Sequence, residues 1–217
     1  MSFIRSESKF LERTRIALSN AESQPDIKAA LIPFGIDDAK FAEGWAVYNK
    51  AKSIWELNAK EGAETSLASN AYSTKYNEVT AKFKRHRDLT RILCTKDPDI
   101  LVELGIKGHL PGQYNEYFDL MKLFYTTIAG SPVIQAKLAV IKLTPELAAD
   151  CLTELDTVLA LRSEFDKEMG ESQASTELKN AVLNELSDWM DDFDILAKLA
   201  FYDTPQRLEV LGVLVKS

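Results

Sequence analysis

Residues 65–96 read TSLASNAYSTKYNEVTAKFKRHRDLTRILCTK. Within them Tyr72, Tyr76, Val79, Phe83, His86, Thr90 and Leu93 follow one another in alternating steps of four and three. That spacing draws a single stripe along an α-helix. Adding 107 to each number gives Lys179, Leu183, Leu186, Met190, Phe193, Ala197 and Ala200, the same stripe in more apolar form. Residues 172–203 therefore read as a second copy of the first helix.

The offset of 107 holds on both sides of the pair. Downstream, Asp97-Pro98 opens a short helix that Gly105 closes, and Thr204-Pro205 and Gly212 repeat that pattern. Upstream, Gln24-Pro25 matches Ser131-Pro132, and Asp37-Asp38 falls where Thr144-Pro145 does. Proline suits a first helical turn, whose N–H groups have no helical partner, and glycine suits the residue just past a helix end. Tyr117-Phe118-Asp119 takes the place of Phe10-Leu11-Glu12 at the start of each half, where the first helix is read from about residue 6 to residue 21. Lys107-Gly108-His109-Leu110-Pro111-Gly112 is the stretch that reads as a linker. These features predict an all-α fold of two tandem homologous antiparallel helical-bundle repeats with long amphipathic helices. The repeats would span residues 1–110 and 111–217 and pack together.

One join is open in the sequence. Glu61-Gly62-Ala63-Glu64-Thr65 reads as a hairpin, with Gly62 past a helix end and Thr65 capping the next helix, and residues 168–172 read likewise. The heptad phase, however, runs through both places. A single helix from 37 to 96 would be about 90 Å long at 1.5 Å per residue. The stripe turns small and polar at the join, which favours the hairpin.

Composition narrows the function classes. Of 217 residues, 46% are hydrophobic and 27% charged, as in ordinary globular proteins. The formal charge of −7 opposes a general nucleic-acid binder, despite the basic run Lys82-Phe83-Lys84-Arg85-His86-Arg87. Cys94 and Cys151 stand at non-equivalent positions and read as small buried hydrophobes in a reducing compartment. The first residues lack the apolar core of a signal peptide, and no stretch has the length and apolarity of a transmembrane helix, so a cytoplasmic location is expected.

The chemistry-bearing motifs are few. A di-metal bundle needs Glu-x-x-His on two helices, and neither His86 nor His109 lies in one. Phosphate-loop, dinucleotide and Gly-x-Ser-x-Gly patterns do not occur. No cofactor, no metal and no enzymatic activity are expected on these grounds. His86, at the position of Phe193, reads as a histidine packed at a helix seam with one polar partner, with a pH switch or ligand as the alternative. Trp45, Tyr48, Trp55 and Tyr76 would line any ligand pocket. The short segments at Pro98 and Pro205 would cover bundle ends through Leu104 and Leu211, with Leu211, Val213 and Leu214 as an alternative partner-binding face.

The layout, with Trp189-Met190-Asp191-Asp192-Phe193 followed by Pro205-Gln206-Arg207-Leu208-Glu209-Val210-Leu211-Gly212-Val213, resembles a family of bacterial all-helical proteins of unassigned function that carry an internal duplication. The resemblance implies an all-α fold with two related halves and carries no catalytic residue.

Function is expected in one of three classes, the last of them an adaptor on nucleic acid or a membrane surface that uses the basic run 82–87. The first is a non-enzymatic structural or interaction protein that self-associates into a homo-oligomer or filament. The second is a helical bundle that binds a small molecule or cofactor. The first class rests on long amphipathic helices, the lack of site chemistry and a charge inversion. Lys84, Arg85 and Arg87 correspond to Asp191, Asp192 and Asp194, and the half 1–110 carries net +2 against −9 for 111–217. Lys84 and Arg87 are read as pointing away from the apolar stripe. Faces of opposite charge on related helices would set the orientation of a contact.

Overall fold

The computed structural model describes residues 6–213. Helix and connecting turns account for the described residues, and no strand occurs among them. Helix α1 spans Glu7–Ser23 and is capped by the Ser6 hydroxyl, which accepts from the Lys9 amide. Helix α2 spans Pro25–Leu31, with a 3₁₀ turn at Ile32–Phe34. Helix α3 then runs from Asp38 to Leu93 without a break, 56 residues long. A short α4, Pro98–Glu103, follows it.

The same order then recurs. Helices α5 (Tyr114–Gly130) and α6 (Pro132–Leu138), a 3₁₀ turn at Ala139–Ile141, and α7 (Pro145–Ala200, 56 residues) each begin 107 residues after their counterparts. The last element, Pro205–Leu211, is 3₁₀ where α4 is α-helical.

The hairpins expected at 61–65 and 168–172 do not form: both stretches are helical. Gly62 and Gly170 take ordinary helical backbone, since the left-handed glycines are Gly35, Gly105 and Gly212. An interior glycine costs a helix only about 1 kcal/mol, and no proline or left-handed residue stops the chain at either place.

Continuity of these helices changes how the chain is partitioned in space. One compact unit comprises Met1–Ala63 with Gly170–Ser217, and the other comprises Glu64–Met169. These boundaries differ from the sequence halves at 110/111. Each unit joins the early helices of one half to the last part of the long helix and the short end segment of the other.

In unit 1 the core gathers Leu18 and Ala21 of α1, Ile27 and Leu31 of α2, Phe41 and Ala51 of α3, and Leu186, Met190 and Phe193 of α7. Leu208 and Leu211 close it, and Asn20 donates to the Val210 carbonyl at 2.8 Å. The α3 and α7 segments run in opposite directions here, because Lys50 meets Glu185 and Asn58 meets Thr176.

Unit 2 repeats the plan with Val79 and Phe83 of α3, Met121, Phe124 and Tyr125 of α5, Ile134 of α6, and Leu155 and Val158 of α7. Leu104 and Ile106 close it. Aromatic rings cluster at its centre: Phe83 meets Tyr117, Phe124 and Tyr125 edge-on. Tyr72 and Tyr114 both lie under the Arg162 guanidinium, 5.4 and 5.5 Å from their ring centres.

Leu104 and Leu211 are fully buried, as the end-covering reading requires. Leu211 is thereby withdrawn from the alternative partner face, and Leu214 lies outside the described residues, as do the first five residues of the chain. No helix among the described residues is long and apolar enough to cross a membrane.

Candidate functional site

The two units differ in chemistry at five equivalent positions that lie together. In unit 2 these hold Lys82, His86, Tyr125, Cys151 and Glu154; 107 residues away, unit 1 holds Trp189, Phe193, Leu18, Gly44 and Val47. A polar cluster in one unit thus stands where the other is apolar.

The polar cluster is built on three helices. Phe83 and Val79 anchor the buried stripe of α3, which turns His86 inward and leaves Lys82 half-buried beside it. His86 Nδ1 lies 3.0 Å from the Tyr125 hydroxyl of α5, with the two rings nearly perpendicular. The Tyr125 hydroxyl also interacts with the Cys151 thiol of α7. One turn further along α7, Glu154 accepts from Lys82 at 2.6 Å through both carboxylate oxygens, and Lys75 lies 3.6 Å from it.

Electrostatics fix the protonation of this cluster. Burial holds the His86 imidazole below its ordinary range, and the neighbouring charges of Lys82 and Arg85 lower it further, so the ring is neutral near pH 7. Burial raises both the Tyr125 phenol and the Cys151 thiol. A protonated thiol is a poor nucleophile. With Nδ1 engaged by Tyr125, Nε2 is the ring nitrogen left to an incoming group.

His86 also lines a groove of about 620 Å³ on unit 2. One wall is Ala81, Lys82, Arg85, His86 and Leu89 of α3; the other is Ile141, Lys142 and Leu147. Lys142 has φ +56° and is the one non-glycine residue among those described in the left-handed region. Its counterpart is Gly35, at φ +86°. Side chains other than glycine pay roughly 1–2 kcal/mol for this conformation, because Cβ crowds the following carbonyl. The turn would be easier with glycine, and it carries a cation instead.

In unit 1 an indole takes the place of the charged pair. Trp189 stacks on Phe193 with ring centres 5.4 Å apart, and the Lys40 ammonium lies 5.8 Å from the indole. Gly44 is what admits the ring, since a Cβ there would come within 2.5 Å of it.

The residues of the charge inversion are placed differently from one another. Lys84, Arg85, Asp191 and Asp192 are exposed. Arg87 is buried, contrary to the outward orientation expected of it, because it falls one turn after Phe83. It donates to the Gly108 carbonyl at 3.2 Å and pairs with Asp88 at 3.1 Å, within unit 2. Asp194 is half-buried and pairs with Arg13 of α1, within unit 1.

The four aromatic residues named as pocket candidates divide between the units. In unit 1 Trp45 meets Tyr48 edge-on, Trp45 donates to Glu22 and Trp55 donates to Glu7. Tyr76 belongs to unit 2, where its ring neighbours are Tyr72 and Tyr114. Tyr48 and Trp55 line a smaller groove of about 370 Å³ with Arg15 and Lys52. The sequence singles out His86, chiefly as a packed seam histidine, and gives Tyr125, Cys151 and Lys142 no part in a site. The signal was present as polar-for-apolar exchanges at the 107 offset, and as a lysine in the place of Gly35.

No protein family, curated protein or solved structure matches this chain.

Proposed function

We propose that the protein is a non-enzymatic, small-molecule-binding helical bundle built from two homologous repeats. Unit 2 holds the ligand groove and unit 1 is its filled, structural counterpart. The observation that carries this reading is the exchange of Trp189, Phe193 and Gly44 for Lys82, His86 and Cys151 beside a groove of about 620 Å³. Polar side chains and a left-handed lysine work against stability, and such features gather at binding sites. The protonated states of Tyr125 and Cys151 suit hydrogen bonding rather than nucleophilic attack.

The test is to transplant the plug. Lys82→Trp with Cys151→Gly copies the packing of unit 1 into unit 2. Thermal-shift screening of wild type against small organic acids, amines and alcohols should yield ligands to which the folded double variant no longer responds. Equal responses from both proteins would place binding elsewhere and remove this reading.

A second reading, self-association, is favoured by Lys84 and Arg85 standing exposed where the other half exposes Asp191 and Asp192. Its test is the mass in solution at low and high salt. Lys84→Asp with Arg85→Asp should lower a low-salt oligomer to a smaller species, and Asp191→Lys with Asp192→Lys should restore it. A mass independent of both salt and charge reversal removes it.

A further inference from the structure

The groove on unit 2 is chemically two-sided, and that narrows its occupant. Arg85 and Lys142 stand on opposite walls, both exposed and both cationic. Lys82 is neutralised by Glu154, so the net charge facing the groove comes from Arg85 and Lys142. Leu89, Ile141 and Leu147 supply an apolar strip along the same groove. The left-handed backbone at Lys142 is the independent observation: a cation is kept there at a turn that glycine fills in the other half. We propose that this groove binds a small carboxylate bearing an apolar chain. Its head would sit between Arg85 and Lys142, within reach of His86 Nε2, and its chain along Leu89, Ile141 and Leu147. The inference rests on the ligand-groove reading of unit 2 and adds the class of ligand. Guanidinium and ammonium groups bind carboxylates through charge-assisted hydrogen bonds, while an apolar strip favours a chain over a bare anion.

The experiment uses the full chain and octanoate as the probe, read by imidazole NMR. His86 and His109 are the two histidines, and the exposed His109 serves as an internal control. Octanoate should move the His86 titration upward in pH while leaving the His109 signals unperturbed, because a carboxylate near Nε2 favours the imidazolium. Arg85→Gln should weaken the octanoate response about tenfold or more, the usual loss for a charged hydrogen-bond partner. Lys142→Gly should weaken it as well while raising the melting temperature, so that lost binding cannot be ascribed to lost folding. If octanol perturbs His86 as strongly as octanoate does, or inorganic phosphate alone reproduces the effect, the carboxylate assignment is wrong and the ligand groove stands. If octanoate, octanol and octylamine all leave His86 unmoved, both the assignment and the groove reading fall.

Discussion

Gly44 offers a test in which one substitution should reverse its usual sign. Glycine to alanine inside a helix ordinarily stabilises by about 0.5–1 kcal/mol, because alanine has less backbone freedom to lose. At Gly44 the new methyl would lie 2.5 Å from two indole carbons of Trp189 and 2.9 Å from a Leu18 methyl. Carbon atoms rest about 3.5–4.0 Å apart, so the ring would have to retreat by roughly 1 Å. It cannot retreat freely, being stacked on Phe193. Overpacking of this kind costs about 1–3 kcal/mol. Gly44→Ala should therefore destabilise unit 1 by about 1–2 kcal/mol net. Gly62, in the same helix and the same unit, meets nothing within 4 Å, and Gly62→Ala should stabilise by about 0.5–1 kcal/mol. All three tryptophans lie in unit 1, so indole fluorescence during urea unfolding reports that unit. Adding Trp189→Leu to Gly44→Ala should recover part of the loss, and the double-mutant cycle gives the coupling. A Gly44→Ala protein as stable as Gly62→Ala would refute the packing of Trp189 on which the comparison of the two units depends.

Other expectations follow from the same geometry. His86 is held neutral in the folded state while an unfolded imidazole takes up a proton near pH 6.5, so its contribution is present above that pH and is lost as pH falls through and below it; His86→Phe should flatten the pH dependence of stability there, measured by urea midpoints. The Cys94 and Cys151 thiols are raised by burial and should react with an aromatic disulfide reagent far more slowly in the native protein than in urea, and equal rates would mean they are accessible. Leu104→Ala and Leu211→Ala each empty a fully buried site and should cost about 2–5 kcal/mol in denaturant unfolding; losses under about 1 kcal/mol at both would show that the end segments are not core.

Much of the local structure was legible because it is local. Pro25, Pro98, Pro132, Pro145 and Pro205 all sit in first turns, and Gly35, Gly105 and Gly212 all lie in the left-handed region past a turn. The partition into units was not legible. An apolar stripe such as Val79–Phe83–Leu93 states that a helix has a buried face but carries no information on which half of the chain covers it. The hairpin expectation failed because a small, polar stretch of the stripe and a lone Gly62 do not stop a helix without a proline or a left-handed backbone. The charged faces were legible as an inversion but not as an environment: Arg87 reads as pointing away from the Val79–Phe83–His86 stripe, yet its place one turn from Phe83 leaves it buried. The site was half legible. His86 stood out against Phe193, whereas Tyr125 and Cys151 become its neighbours only once α5 and α7 are packed on α3.

The division of the chain has a consequence for its synthesis. Unit 2 is one contiguous stretch, Glu64–Met169, and can close as soon as its last residues leave the ribosome. Unit 1 is begun first and finished last, because Met1–Ala63 must wait for Gly170–Ser217. At translation rates of about 5–20 residues per second, that interval is roughly 7–30 s. Throughout it Leu18, Ile27, Leu31 and Phe41 have no partners from α7, and their apolar faces are open to chaperones or to another nascent chain. A slower-emerging segment 170–217 would lengthen that exposure without altering the folded protein, so the exposure is set by the timing of elongation.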